Sequence, residues 1–377
     1  MVGGGEDMSK LNEIKETLLM GPGPSCVPPQ VYEALTTATI GHLDPAFIGI
    51  MDEIKAMLKQ MFQTENEVTI PISGTGSAGM ETCFVNLVEP DDRLLVLING
   101  VFGMRMQDVA TRLSAEVDTL EFEWGTAVDM DAVKAKLDGA TYDIVAVVHA
   151  ETSTGVCNPI DQIGALVKDT DALFLVDTVT SLGGIPVKID EWGIDAVYSG
   201  TQKCLSCPPG LSPVSFSQRA VDKLMNRKTK VPNWYLDLSM IVNYWQGATR
   251  AYHHTAPINM LYALYAALKC VLDEGMDSVF ARHQAAHEQL KAGLAELGIE
   301  FLVKEGSRLP MLNAVKIPEG VDEASIRMAL LKKRQIEIGA GLGPLAGQIW
   351  RIGLMGHTAR AENVERLLTA LRAQLGI

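Results

Sequence analysis

The sequence predicts an α/β protein: a large domain on a mostly parallel sheet sandwiched by helices, then a smaller C-terminal α+β domain. Three observations predict it. Short apolar runs at 68–72, 94–98, 144–149, 173–177, 196–198 and 211–216 lack polar alternation, the pattern of strands buried on both faces. Between them lie stretches of helical character, and strand–helix alternation calls for a parallel sheet with helices outside. After two long helices, at 258–273 and 278–297, a shorter alternation begins.

Taken in order, residues 1–20 form an N-terminal arm that begins as a mobile, Gly-rich leader without an apolar signal core. The Pro- and Gly-punctuated segment 20–29 is a rigid loop. Helices are expected at 30–37 and 46–61; in the second, Phe47, Ile50, Met51, Ile54, Met57, Leu58 and Met61 share one face. Further helices are expected at 78–88, 102–113, 129–137, 160–169 and 218–225. The large domain spans 21–273. The small domain, 274–377, has strands at 300–303, 313–317 and 349–354 and helices at 323–333 and 362–375.

At 377 residues the chain can hold two cores, and 47% hydrophobic with 21% charged residues is ordinary for a globular protein. A net charge of −14 opposes binding to nucleic acid or anionic membranes. No apolar run approaches the roughly 20 residues that span a bilayer. Six scattered cysteines fit reduced, packed side chains; the lone Cys204-x-x-Cys207 has no second pair or nearby histidines, so no metal is expected. With no organelle address read at the C-terminus, a cytoplasmic location is the expectation.

The chemistry centres on Val197-Tyr-Ser-Gly-Thr-Gln-Lys-Cys-Leu-Ser-Cys-Pro-Pro-Gly210. Lys203 lies just past a buried strand, where α/β folds place their ligands. A lysine forced into such a site loses its charge readily, and its neutral amine attacks aldehydes. Lys203 is therefore read as carrying an aldehyde cofactor as a Schiff base, against the plainer reading of a surface lysine on a loop. Three other segments support that. Ile72-Ser-Gly-Thr-Gly-Ser-Ala-Gly-Met-Glu81 turns from strand to helix, and its free backbone N–H groups and helix dipole suit a phosphate, although such turns also serve close packing. It matches neither the P-loop nor the dinucleotide pattern. Leu173-Phe-Leu-Val-Asp177 ends a strand in a carboxylate fit to pair with a protonated pyridine nitrogen. One crossover's length separates it from Lys203, so adjacent parallel strands bring the two to one sheet edge. Finally, His149-Ala-Glu-Thr-Ser-Thr-Gly155 offers hydroxyls for a ring substituent, with His149 itself read as structural.

Gly21-Pro-Gly-Pro24, Ser73-Gly-Thr-Gly76, Glu151-Thr-Ser-Thr-Gly155, Val176-Asp-Thr-Val179 with Ser181-Leu-Gly-Gly184, Tyr198-Ser-Gly-Thr-Gln-Lys203 with Pro208-Pro-Gly210, Tyr252-His-His-Thr255 and Trp350-Arg-Ile-Gly353 follow in one order. Together, over residues 18–360, they closely resemble the class V pyridoxal-phosphate aminotransferases of the alanine–glyoxylate / serine–pyruvate group. The resemblance implies the fold type I of pyridoxal-phosphate enzymes, with a seven-stranded sheet. It implies that Lys203 forms the internal aldimine with pyridoxal 5'-phosphate and that Asp177 pairs with the pyridinium nitrogen. Thr152 meets the polar edge of the ring, Phe102 stacks on it where many members carry Trp, and Thr75, Gly76, Ser77 and Gln202 hold the phosphate. Tyr252 and Thr255 reach that phosphate from the neighbouring subunit, so a homodimer is implied. Arg351 and Gly23 are implied at the substrate carboxylate. Ser77 stands where some members have a larger residue, and Thr152 keeps the hydroxyl of the more common Ser.

The implied reaction is ping-pong transfer between alanine or serine and glyoxylate or pyruvate. No second arginine sits in a motif for a side-chain carboxylate; Arg105 and Arg250 are read as structural or interfacial. Relatives that use ureidoglycine, aminophosphonate or pyridoxamine donors are alternatives. A desulfurase-like lyase is disfavoured because Gln202, not His, precedes Lys203, and no cysteine sits in a long flexible loop. Intact Lys203, Asp177 and Arg351 argue against a silent cofactor-binding protein.

Overall fold

The computed structural model describes residues 9–247 and 249–376, so the leader expected at the N-terminus lies, through Met8, outside the described residues. The central sheet has seven strands: β1 (Val68–Ser73), β2 (Arg93–Ile98), β3 (Glu116–Glu121), β4 (Ile144–Val148), β5 (Leu173–Asp177), β6 (Ala196–Tyr198) and β7 (Leu211–Phe216), in the order β1-β7-β6-β5-β4-β2-β3. All neighbours are parallel except β7, which is antiparallel to both β1 and β6. The C-terminal ends of β1, β2, β4, β5 and β6 therefore share one edge. From that edge the chain enters helix α1 (Gly76–Leu87) after β1 and helix α2 (Val101–Arg112) after β2. A tight hairpin of Ala150–Glu151 with Val156–Cys157 follows β4.

The apolar strands β4 and β5 are buried at every residue, as uniform Val, Ile and Leu content dictates for a sheet covered on both faces. The sequence reading missed β3. Its residues, Glu-Val-Asp-Thr-Leu-Glu, make no apolar run, because at the sheet's rim they are only half-covered. Arg93 of β2 reaches across to Glu116 and Asp118 and offsets their charge.

Helices α3 (Ile258–Glu274) and α4 (Met276–Glu296) join at Gly275, whose φ of +88° is costly for any residue with a Cβ. Beyond them lies a three-stranded antiparallel sheet, β8 (Leu312–Lys316), β9 (Gly339–Ala340) and β10 (Ile349–Gly353), ordered β8-β10-β9. Helices α5 (Glu323–Arg334) and α6 (Ala361–Leu375) accompany it. The strand expected at 300–303 is reduced to one bridge, Phe301 to Val315. A separate apolar core of Leu290, Leu294, Val315, Trp350, Ile352, Leu367 and Leu371 fills this part. The N-terminal Leu18–Leu19 pairs in parallel with Ile336–Glu337, so Leu18 and Met20 pack into that second core before the chain enters the large sheet.

Candidate active site

Loops from the shared edge line a cavity of about 130 Å³. Thr75, Gly76, Ser77, Phe102, Thr152, Asp177, Gln202 and Lys203 all line it. The sheet register explains the centre: β5 and β6 pair in parallel with Asp177 opposite Tyr198, so the carboxylate and the turn that carries Lys203 leave the sheet side by side. At one end, Thr75 makes no side-chain capping bond to α1. The Ala78 amide donates to the Thr75 carbonyl at 2.7 Å, but the Gly76 and Ser77 amides have no acceptor among the described residues, as an anion site requires. Gln202 Oε1 and the Tyr198 hydroxyl are buried at the cavity without a hydrogen-bond partner.

At the other end is Asp177, which accepts from the Val179 amide at 2.8 Å. Burial raises its carboxyl to about 6. Tyr198 lies close enough to steady that charge yet makes no hydrogen bond of ordinary geometry. Between the two ends stands Lys203, 9% exposed. Burial lowers its amine to about 8, with Cys204 opposing and Arg351 reinforcing the shift. Its Nζ donates to the Pro22 carbonyl. Ser25 anchors the lysine's backbone, its amide donating to the Gln202 carbonyl at 2.9 Å and its hydroxyl to the Lys203 carbonyl at 2.7 Å. Gly23 lies flat against the lysine: a Cβ there, at φ +103°, would stand 2.6 Å from Nζ.

Arg351, on β10, approaches from the small sheet. It is 6% exposed, its Nε donates to the Ala340 carbonyl at 2.7 Å, and its Nη1 donates to the Thr152 carbonyl at 3.2 Å. Burial lowers it to about 10, and it makes no ion pair among the described residues. A buried guanidinium in that state is suited to a carboxylate brought by a ligand. Tyr252 and Thr255 do not join this group. Both are exposed, Tyr252 at 59%, and lie off the cavity wall, 3.4 Å apart at their hydroxyls.

Arg105, read from sequence as structural or interfacial, lines the cavity, with its guanidinium 5.0 Å from the centre of the Phe102 ring. One helical turn separates the two residues, and that spacing was the available signal. Arg250 does pair internally, with Asp52 at 2.5 Å. His149 is buried against Trp192 and held neutral by burial at about 3, outside the cavity lining. Sequence reasoning also passed over Met80, Ala150, Val179, Thr180 and Tyr198 as wall residues.

The arrangement fits pyridoxal phosphate. An uncapped helix start with hydroxyls could receive a phosphate, a buried carboxylate could pair with a pyridinium nitrogen, an aromatic ring flanks the space, and a neutralisable amine stands between.

Comparison with known proteins agrees. The profile of the Aminotransferase class-V family matches residues 19–367. The (S)-ureidoglycine–glyoxylate transaminase of Bacillus subtilis is 40% identical, the match covering 95% of this chain and 90% of the relative. The alanine–glyoxylate aminotransferase of Mus musculus is 39% identical over 98% of this chain and 90% of its own. The crystal structure of alanine–glyoxylate aminotransferase from Nostoc sp. superposes with a TM-score of 0.94 at 46% identity, covering 96% of each chain. With an α/β fold and a cavity that meets the cofactor's needs at both ends, the chain belongs to the class V aminotransferases, transferases that depend on pyridoxal phosphate.

Proposed function

We propose that this aminotransferase moves the amino group of a small neutral amino acid, alanine or serine, to a small 2-oxo acid, glyoxylate or pyruvate, in a ping-pong cycle. The observation that carries the reading is Arg351: a buried guanidinium that makes no ion pair among the described residues and acts on the Lys203 amine, whereas the arginine at the cavity wall, Arg105, is exposed and lies over the Phe102 ring. The relatives' names support the acceptor, since the Bacillus and mouse enzymes share glyoxylate and differ in the donor. That difference also favours a second reading, with ureidoglycine as donor.

Bound pyridoxal phosphate supplies an aldehyde that takes up the amino group and a ring that accepts the electron pair left at the substrate α-carbon. Asp177 Oδ would keep a proton on the ring nitrogen: raised only to about 6, it is largely ionised at neutral pH and would gain from pairing with that cation. Lys203 Nζ would hold the cofactor's aldehyde carbon, and as a free amine, which burial lowers to about 8, it would be the base that carries the substrate α-proton to the cofactor side. Arg351 fixes the carboxylate, which orients the α-carbon hydrogen toward Nζ. Thr75, Ser77, Gln202 and the Gly76 and Ser77 amides would hold the phosphate, Phe102 and Thr152 would flank the ring, and Gly23 leaves room beside Nζ.

We further propose a homodimer in which Tyr252 and Thr255 cross to the partner's phosphate. Their exposure supports this, as do the neighbouring Trp234 at 59% and Tyr235 at 43% exposed.

The test takes the half-reactions separately. Amino acids are mixed with the pyridoxal form and 2-oxo acids with the pyridoxamine form, following the cofactor's absorption. Rapid bleaching by alanine or serine and recovery with glyoxylate or pyruvate is expected. Bleaching by ureidoglycine alone assigns the donor to the second reading, and bleaching by neither excludes both.

A further inference from the structure

Glu151 is buried completely and does not line the cavity. Its carboxylate instead holds the start of helix α2. Oε2 accepts from the amides of Phe102 at 3.2 Å and Gly103 at 3.3 Å. Oε1 accepts from the Ser153 amide at 3.2 Å and hydroxyl at 2.5 Å, and the Ser153 oxygen in turn accepts from the Val101 amide at 2.9 Å. The residue in the capping position, Gly100, has no side chain to do this. The cap has been moved to another loop.

Gly100 shows how tightly that cap is seated. A Cβ there would lie 2.4 Å from Glu151 Cδ and 2.4 Å from Ser153 Oγ. Its φ of 176° is open to any residue, so close approach alone demands glycine. The capped turn carries Phe102 and Arg105, both at the cavity wall. On the other side, the next residue, Thr152, lines the cavity and accepts from Arg351 at its carbonyl, while the Glu151 charge acts favourably on the guanidinium. One carboxylate thus governs the ring wall and the carboxylate clamp together.

We propose that Glu151 is a positioning residue of transamination: its carboxylate sets the Phe102 wall through the α2 amides and keeps Arg351 in its clamping position. The inference rests on the roles given above to Phe102 and Arg351. Burial raises the Glu151 carboxyl to about 7, against the pull of the donors around it; ionised, it satisfies all four. An amide of the same shape cannot, because its NH2 group meets the Phe102 and Gly103 N–H groups, or the Ser153 donors, as donor against donor.

The experiment compares wild-type and Glu151→Gln holoenzymes. The first readout is the visible circular dichroism of the bound cofactor, taken without substrate, and the second is kcat and KM for alanine. The expected result is a weakened dichroic band, a raised KM, and kcat/KM lower by about 10- to 100-fold, the scale of a misplacement near 1 Å. A variant with a lower unfolding temperature but an unchanged band and unchanged KM would overturn the proposal. Should Glu151→Gln not fold, Ser153→Ala, which keeps the charge and removes the Val101 cap, is expected to weaken the same band; an unaltered band there overturns it equally. If wild-type enzyme uses neither alanine nor serine, the substrate reading falls, while the dichroism still decides the role of Glu151.

Discussion

At the level of single residues, the site rests on charges held where water does not reach. The Lys203 amine is charged in both folded and unfolded apoprotein below pH 8, and burial makes that charge a cost of about 3 kcal/mol from its displacement to about 8. The cost lessens as pH rises through about 8 and is gone above the ordinary value of 10.5. We therefore predict that apo Lys203→Met resists denaturant better than wild type at neutral pH, with the gap closing toward pH 10.5; a gap independent of pH would refute this. The same reluctance to charge keeps the amine available as a base. For Arg351→Lys, which loses the planar fork, KM for alanine should rise by about 10- to 100-fold with a smaller change in kcat. Steady-state kinetics with an unchanged KM would remove Arg351 from the carboxylate site. Lys203 and Asp177 were legible in the sequence because each ends a buried apolar run, where a charge needs a reason. Arg105 was legible only through its one-turn spacing from Phe102, since its place at the cavity depends on that ring. Glu151 appeared only as one letter of a motif, because three of its four donors are backbone amides, which a sequence does not distinguish.

Elements act by fixing where those residues leave the sheet. The parallel pairing of β5 and β6 sets the Asp177–Lys203 relation, and the antiparallel β7 returns the chain beside β1 so that the phosphate turn faces both. Helix α1 presses on this layer at Gly79, where a Cβ would meet Ser212 Oγ at 1.9 Å and Tyr198 Cβ at 3.1 Å. Ser212 cannot simply rotate away without losing its 2.5 Å bond to the Ser199 carbonyl. Gly79→Ala is thus predicted to destabilise by about 1–3 kcal/mol. It should also weaken cofactor retention, because the start of α1 shifts with the helix; urea titration and a cofactor-release assay check both, and wild-type values in each would contradict the packing argument. Strands with uniform burial were legible. The rim strand β3 was hidden by its acids, and 300–303 looked like a strand although it pairs at a single bridge.

For the whole molecule, the N-terminal segment ties the parts together. It pairs with Ile336–Glu337, passes Pro22 and Gly23 over Lys203, and locks Ser25 onto the lysine's backbone. No periodicity announces such a path; only the Pro and Gly content of 21–24 hinted at it. The shared site proposed for Tyr252 and Thr255 makes cofactor retention depend on assembly. Dilution that splits the dimer in sedimentation should release pyridoxal phosphate in step, and Tyr252→Phe should move that release to higher protein concentration. Retention by a monomer would contradict it. The most direct test of the account is chemical. Holoenzyme reduced with borohydride, digested and mapped by mass should carry a pyridoxyl group on the Lys203 peptide in proportion to lost activity. An active enzyme whose Lys203 peptide is unmodified, or whose label sits on another lysine, would contradict it.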